Sequence, residues 1–210
     1  MPYDPQKHHR RSIRLKGYDY ASPGSYFVTL CTQDRVPRFG RVVDGVMMLN
    51  DAGRMVAREW AAIPERFPTI RSDAHVIMPN HFHAIITIEY TDERTDERGA
   101  ERRGDPRDRP KTRDRPDGVG AGTGTETDRS TLGNVVGAFK SITTHAYIVG
   151  VRSMGWPPFN KRVWQRNYWE RIIRDQPEFN RIRRYIQNNP ARWTEDRLHP
   201  GAPPNSYNRG

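Results

Sequence analysis

Two histidines one residue apart, His81 and His83, sit inside the apolar run from residue 74 to residue 88, and this run restricts the fold more than any other segment. Pro79-Asn80 interrupts it, so it reads as a strand, a turn and a second strand. Side chains on a strand alternate between faces. His81 and His83 therefore share one face, while Phe82, Ala84, Ile86 and Ile88 share the other. Two parallel imidazoles at this spacing can hold one divalent metal ion, each through one ring nitrogen. Two histidines on a half-exposed strand are the plainer alternative.

A second segment sharpens the choice. Trp164-Gln165-Arg166-Asn167-Tyr168-Trp169-Glu170-Arg171-Ile172-Ile173-Arg174 is rich in aromatic and β-branched residues and reads as a strand. A helix follows, with Asp175 as N-cap, Pro177 in the first turn and Glu178 three residues past the cap. Phe179, Ile182 and Ile186 form its buried stripe. Tyr185 and Asn189 are spaced i, i+4, so a phenol and an amide emerge together at the edge of that stripe. The amide can be a third metal ligand and the phenol a nucleophile. Taken singly, each has an ordinary structural reading: a packing tyrosine, and a helix-end asparagine before Pro190.

Length fits one domain with one core: the chain has 210 residues. Hydrophobic content is only 34%, because residues 91–130 offer almost nothing to a core and read as a disordered, mixed-charge insert. The insert holds 10 basic and 11 acidic residues, a net of −1, so a charge of +11 belongs to the rest of a chain whose total is +10. That is the electrostatic signature of a phosphate-backbone binder. No apolar run approaches the ~20 residues of a membrane span, and no signal-peptide core follows the basic start, so no membrane partner is expected. The single cysteine, Cys31, excludes an internal disulfide and a thiolate zinc cluster, and fits a cytoplasmic protein.

The elements expected are a basic arm over 1–17, a strand at 26–32, and a helix from Asn50 or Asp51 to residue 67. A strand follows near 74–78, another at 81–90, then the insert. After it come a helix from Thr131 to residue 149, a strand near 163–173, the tyrosine helix, and a flexible tail over 195–210. The first helix buries Met55, Val56, Trp60 and Ile63; the second buries Leu132, Val135, Val136, Phe139 and Ile142. The order βαββαβ plus a final helix is an α+β, ferredoxin-like split sheet spanning 18–194.

With these residues assembled, the chain resembles the single-tyrosine HUH transposases, and among them the REP-associated tyrosine transposases. The blocks that carry the resemblance are Met78-Pro79-Asn80-His81-Phe82-His83, Gly137-Ala138-Phe139-Lys140-Ser141, the tryptophan-rich segment from Trp164, and Arg184-Tyr185-Ile186-Gln187-Asn188-Asn189-Pro190, with Gly24-Ser25-Tyr26-Phe27-Val28-Thr29-Leu30 as first strand. The resemblance implies His81, His83 and Asn189 as ligands of Mg²⁺ or Mn²⁺, and Tyr185 as the nucleophile that forms a 5′-phosphotyrosine on single-stranded or hairpin DNA. Where the family has Glu-His this chain has Glu170-Arg171, which leaves no histidine there to carry a role. Lys140 would help hold DNA, and Arg166, Arg171, Arg174 and Arg184 are expected to contact its backbone, although each could equally be a solvated cation. Trp164, Tyr168 and Trp169 could stack on bases, with at least one in the core. Relatives include monomers and homodimers. The rival readings are a non-cleaving hairpin-DNA-binding relative, an RNA-binding sheet of the same strand order, and a metal-dependent hydrolase using water.

Overall fold

The computed structural model describes residues 18–89 and 130–203. The basic arm, the insert apart from Ser130, and residues 204–210 lie outside the described residues. Among the described residues six strands and four α-helices follow in the order β1 (Gly24–Cys31), β2 (Gly40–Val43), β3 (Val46–Leu49), α1 (Asp51–Ala61), α2 (Ile63–Arg66), β4 (Ile70–Ile77), β5 (His81–Ile88), α3 (Leu132–Ser153), β6 (Trp169–Ile173) and α4 (Gln176–Asn188). The main sheet runs β4-β5-β1-β6 with antiparallel neighbours throughout. With the β2–β3 hairpin set aside, this is the ferredoxin-like order the sequence predicts.

Strand alternation divides the molecule into layers. Tyr26, Val28 and Leu30 of β1 join Phe82, Ala84, Ile86 and Ile88 of β5 in a core with Met55, Val56 and Trp60 of α1 and Leu132, Val135, Val136 and Phe139 of α3. Trp60 meets Phe82 and Phe139 edge-to-face, with centroids 4.8 and 5.0 Å apart. On the opposite face Ile85 of β5 and Ile173 of β6 pack against Ile182 and Ile186 of α4, flanked by Phe27, Val76 and Phe179. Thus α4 covers the same sheet face that carries the two histidines.

Local chemistry fixes the helix starts. The Asn50 side chain accepts from Gly53 N at 2.9 Å, Thr131 from Asn134 N at 3.1 Å, and Asp175 from Glu178 N at 2.7 Å. Glu178 accepts in return from Arg174 N at 3.0 Å, which pins the first turn of α4 from both sides. Gly53 has a packing reason: a Cβ there would collide with the Phe39 carbonyl oxygen.

Several boundaries differ from expectation. Residues 40–49 form a hairpin turned at Asp44-Gly45, both with positive φ. The Asp-Gly pair between apolar residues is its sequence signal. The last strand is shorter, Trp169–Ile173, and Trp164 contributes only an isolated bridge to Thr32. The buried stripe of α3 continues through Thr143, Tyr147 and Gly150 rather than Ile142, because Trp164 Nε1 donates to Thr143 Oγ1 at 2.8 Å. The tail assignment is corrected from its first residues. Chain 190–195 is a 3-10 segment with Trp193 buried, and the Asp196 side chain is only 8% exposed. Among the described residues no helix is long and apolar enough to cross a membrane.

Candidate metal centre and nucleophile

β5 presents His81 and His83 side by side, with ring centroids 4.6 Å apart and both rings buried. The register β1–β5 sets Thr29 opposite His83, and Thr29 Oγ1 lies 2.8 Å from His83 Nδ1. Across the ring, the Tyr185 hydroxyl approaches His83 Nε2 at 3.3 Å. With the Nδ1 proton directed to Thr29, the phenol donates to the Nε2 lone pair. One turn further along α4, at its C-cap, Asn189 is 3% exposed. The i, i+4 spacing therefore does what it predicts: phenol and amide reach the histidine face together.

The tautomer of His81 follows from Asn80. Its Nδ2 donates to the carbonyls of Arg35 at 3.1 Å and Leu198 at 2.7 Å. Its Oδ1 must then face the ring, and His81 Nδ1–H donates to it at 2.9 Å. That leaves a lone pair on Nε2, a buried atom with no hydrogen-bond partner. Asn189 is oriented in the same manner. Its Nδ2 donates to Asp196 Oδ2 at 3.2 Å, and its Oδ1 is likewise buried and unsatisfied. A buried acceptor with no donor is costly. Two of them aimed into one place, with a third lone pair on His83 Nε2, fit a divalent cation bound by His81, His83 and Asn189.

Protonation states agree with that fit. Burial pushes His81 down to about 3, against a small upward pull from Asn189, and holds His83 well below the usual imidazole range, helped by its neighbour His81. Both rings are neutral donors of electron pairs at pH 7. Burial pushes the Tyr185 phenol up to about 12, and the charge of Asp196 adds to this, while Asn189, Arg192 and Arg197 pull the other way.

Depressed histidines make a pH prediction with a definite sign. Below the unfolded value of about 6.5 the unfolded chain takes up protons that the native rings refuse, so stability falls as pH drops. In EDTA the thermal midpoint should be flat from pH 8 to 7 and decline from pH 6.5 to 5, before ordinary carboxylates titrate. Replacing both His81 and His83 by Asn should make that decline shallower, leaving the part due to His75, which burial also depresses; an unchanged slope would mean the two rings are not buried neutral.

Asn80 was not singled out for a role from sequence, though it lies in the block that carries the resemblance. Asn80→Ala leaves His81 Nδ1 and two carbonyls without partners, and should cost about 1–3 kcal/mol of stability and weaken Mn²⁺ binding about 10–100-fold. Asn80→Asp keeps the acceptor for His81 but loses both donors, so urea unfolding and a Mn²⁺ titration on the two variants separate the roles.

The expected cations are scattered. Lys140 lies on α3, in the layer across the sheet from α4, and Nζ donates to the carbonyls of Gln165 at 2.6 Å and Arg166 at 3.0 Å. Burial lowers it to about 8. It ties a loop to α3 and borders a 480 Å³ cleft lined also by Lys161, Arg162 and Arg166, with no carboxylate in the lining. Arg171 pairs with Glu178 at 2.6 Å, and Arg183 pairs with Asp73, linking α4 to β4. Arg166, Arg174 and Arg184 are exposed. Trp164 is core and Tyr168 packs against the main core, while Trp169, 46% exposed, pairs with Thr29 and so shares the histidine face. Asp196 and Arg197 fall in the segment expected to be a tail, and Arg192 just before it, where no periodic signal marks a residue.

No family model matches the chain. A protein of Haemophilus influenzae (strain ATCC 51907 / DSM 11121 / KW20 / Rd) is 39% identical over 200 residues, covering 94% of this chain and 97% of that protein. The chain belongs to its family. That relative is described only as an uncharacterized protein, so kinship alone transfers no activity. A solved structure of a REP-associated tyrosine transposase bound to a REP hairpin has a similar fold, with a TM-score of 0.51 and 17% identity, covering 87% of this chain and 74% of that one.

Proposed function

We propose that this chain is a metal-dependent tyrosine transposase that cleaves and rejoins single-stranded or hairpin DNA. The observation that carries the reading is the Tyr185 hydroxyl, 3.3 Å from His83 Nε2 and beside the unsatisfied lone pairs of His81 and Asn189. The fold shared with a hairpin-bound transposase and the net charge of +11 outside the insert support it.

Tyr185 Oη attacks the scissile phosphorus. The bond from phosphorus to the 3′ oxygen breaks, the phenol loses its proton, and the departing oxygen gains one, leaving a 5′-phosphotyrosine and a free 3′-hydroxyl. The reverse attack by another 3′-hydroxyl rejoins strands without ATP. A bound Mg²⁺ or Mn²⁺ would supply Lewis-acid stabilisation of charge on the phosphate. The phenol is protonated at rest, since its pKa is pushed up to about 12. Asn189, and after it Arg192 and Arg197, are the chain's own groups that favour the phenolate. Trp169, exposed on the edge strand of the same face, offers a stacking surface for an unpaired base. The cationic cleft beside Lys140 offers phosphate contacts.

The test is a denaturing gel for a covalent protein–DNA adduct, using labelled hairpin oligonucleotides from the flanks of the gene with Mg²⁺ or Mn²⁺. An adduct lost in EDTA supports the proposal. Binding without an adduct, across a fair set of flanking hairpins, refutes cleavage.

A further inference from the structure

We propose that Asp196 is a fourth ligand, which turns a neutral set of two imidazoles and an amide into an anionic one; this rests on the reading of His81, His83 and Asn189 as a metal centre. One ligand atom from each of His81, His83 and Asp196 can be chosen so that all three lie within 4.8 Å of one another. Asp196 Oδ2 stands 3.9 Å from His81 Nε2. This is not an ion pair. The proton of His81 sits on Nδ1, held by Asn80, so two electron-pair donors face each other with no proton between them. Such an arrangement is repulsive unless a cation lies between.

The carboxylate is held in place rather than carried by a loose end. Leu198 N donates to Asp196 Oδ1 at 2.7 Å, and the Leu198 carbonyl accepts from Asn80 Nδ2 at 2.7 Å. Trp193 lies against the His81 ring on one side and the His199 ring on the other, at 5.8 and 4.8 Å. The β2–β3 hairpin borders the same strap: Gly45 lies against Ala191. Oδ1 is taken by a backbone N–H; Oδ2 accepts from Asn189 Nδ2 at 3.2 Å and keeps a second lone pair for the site.

Two consequences follow for the chemistry. Charge count is a main determinant of affinity for hard divalent ions, so the site should bind Mg²⁺ or Mn²⁺ more tightly than a neutral triad. Two nitrogen and two oxygen donors also suit Mn²⁺ better than an all-oxygen site does.

Titration of the full chain with Mn²⁺, followed by the electron paramagnetic resonance signal of the free ion, reads this without any turnover. Asp196→Asn and Asp196→Ala should each weaken binding about tenfold or more. Since Asp196 also orients the Asn189 amide, the deciding comparison is made in an Asn189→Ala background, where a ligand still contributes and a mere orienter does not. Continued weakening there is the expected result. Loss of the Asp196 effect in that background, or wild-type affinity in both Asp196 variants, overturns the proposal while His81→Ala still abolishes binding. No saturable Mn²⁺ binding by the wild-type chain would overturn the metal centre itself, and Asp196 with it. Unfolding in EDTA checks that the variants are folded.

Discussion

Tyr185→Phe should abolish the covalent DNA adduct while leaving DNA binding, Mn²⁺ binding and the thermal midpoint close to wild type. The substitution removes one oxygen and keeps the ring. That ring is 46% exposed and touches Phe27 edge-on at 6.0 Å, contacts phenylalanine preserves. The hydroxyl lies 3.3 Å from His83 Nε2 and also interacts with Asn189, and a hydrogen bond of this kind is worth about 1 kcal/mol in stability. The chemical loss is of another order, because among the described residues no other tyrosine lies beside the two histidines: Tyr168 packs against the main core on the opposite face of the sheet. Gel shift, adduct gel and melting curve on the same preparation check the three parts. Simultaneous loss of adduct and binding would show that the tyrosine serves recognition, and a surviving adduct would move the nucleophile elsewhere.

Ile186→Ala should damage stability and, through α4, the chemistry as well. Ile186 is fully buried in the small cluster with Ile85, Ile173 and Ile182 that holds α4 to the sheet. Truncating a buried isoleucine to alanine costs about 2–5 kcal/mol, a large share of the ~5–15 kcal/mol that stabilises a typical domain. The effect should be local as well as global. The main core between the sheet and α1 and α3 does not contain Ile186. Hydrogen exchange of α4 amides should therefore accelerate more than that of β1 and β5. Adduct formation should fall in parallel, since α4 carries both Tyr185 and Asn189. Uniform acceleration across the sheet would mean the two cores unfold as one unit.

The sequence by itself determined whatever a single period fixes. Alternation along one strand put His81 and His83 on one face and Phe82, Ala84, Ile86 and Ile88 on the other. Helical spacing put Tyr185 and Asn189 together beside the Phe179, Ile182 and Ile186 stripe, and Asn50 or Asp51, Thr131 and Asp175 marked three helix starts. The order of these elements was enough for the sheet topology, because short connections leave few alternatives. The hairpin at Asp44-Gly45 carries a local turn signal too, weaker than the longer apolar runs around it.

Tertiary structure alone decided the rest. Tyr185 meets a histidine 102 residues away, and Asn80 meets a carbonyl 118 residues away. No local pattern encodes contacts at that separation. Lys140 shares a sequence block with Phe139 but lies in the layer across the sheet from α4, because α3 packs on the other side. Asp196 looked like the start of a tail because nothing near it is periodic or strongly apolar. Its place is set by hydrogen bonds to Leu198 and Asn189 and by the seating of Trp193 against His81. Periodicity tells which residues share a face; only the packing of one face on another decides which side chains converge there.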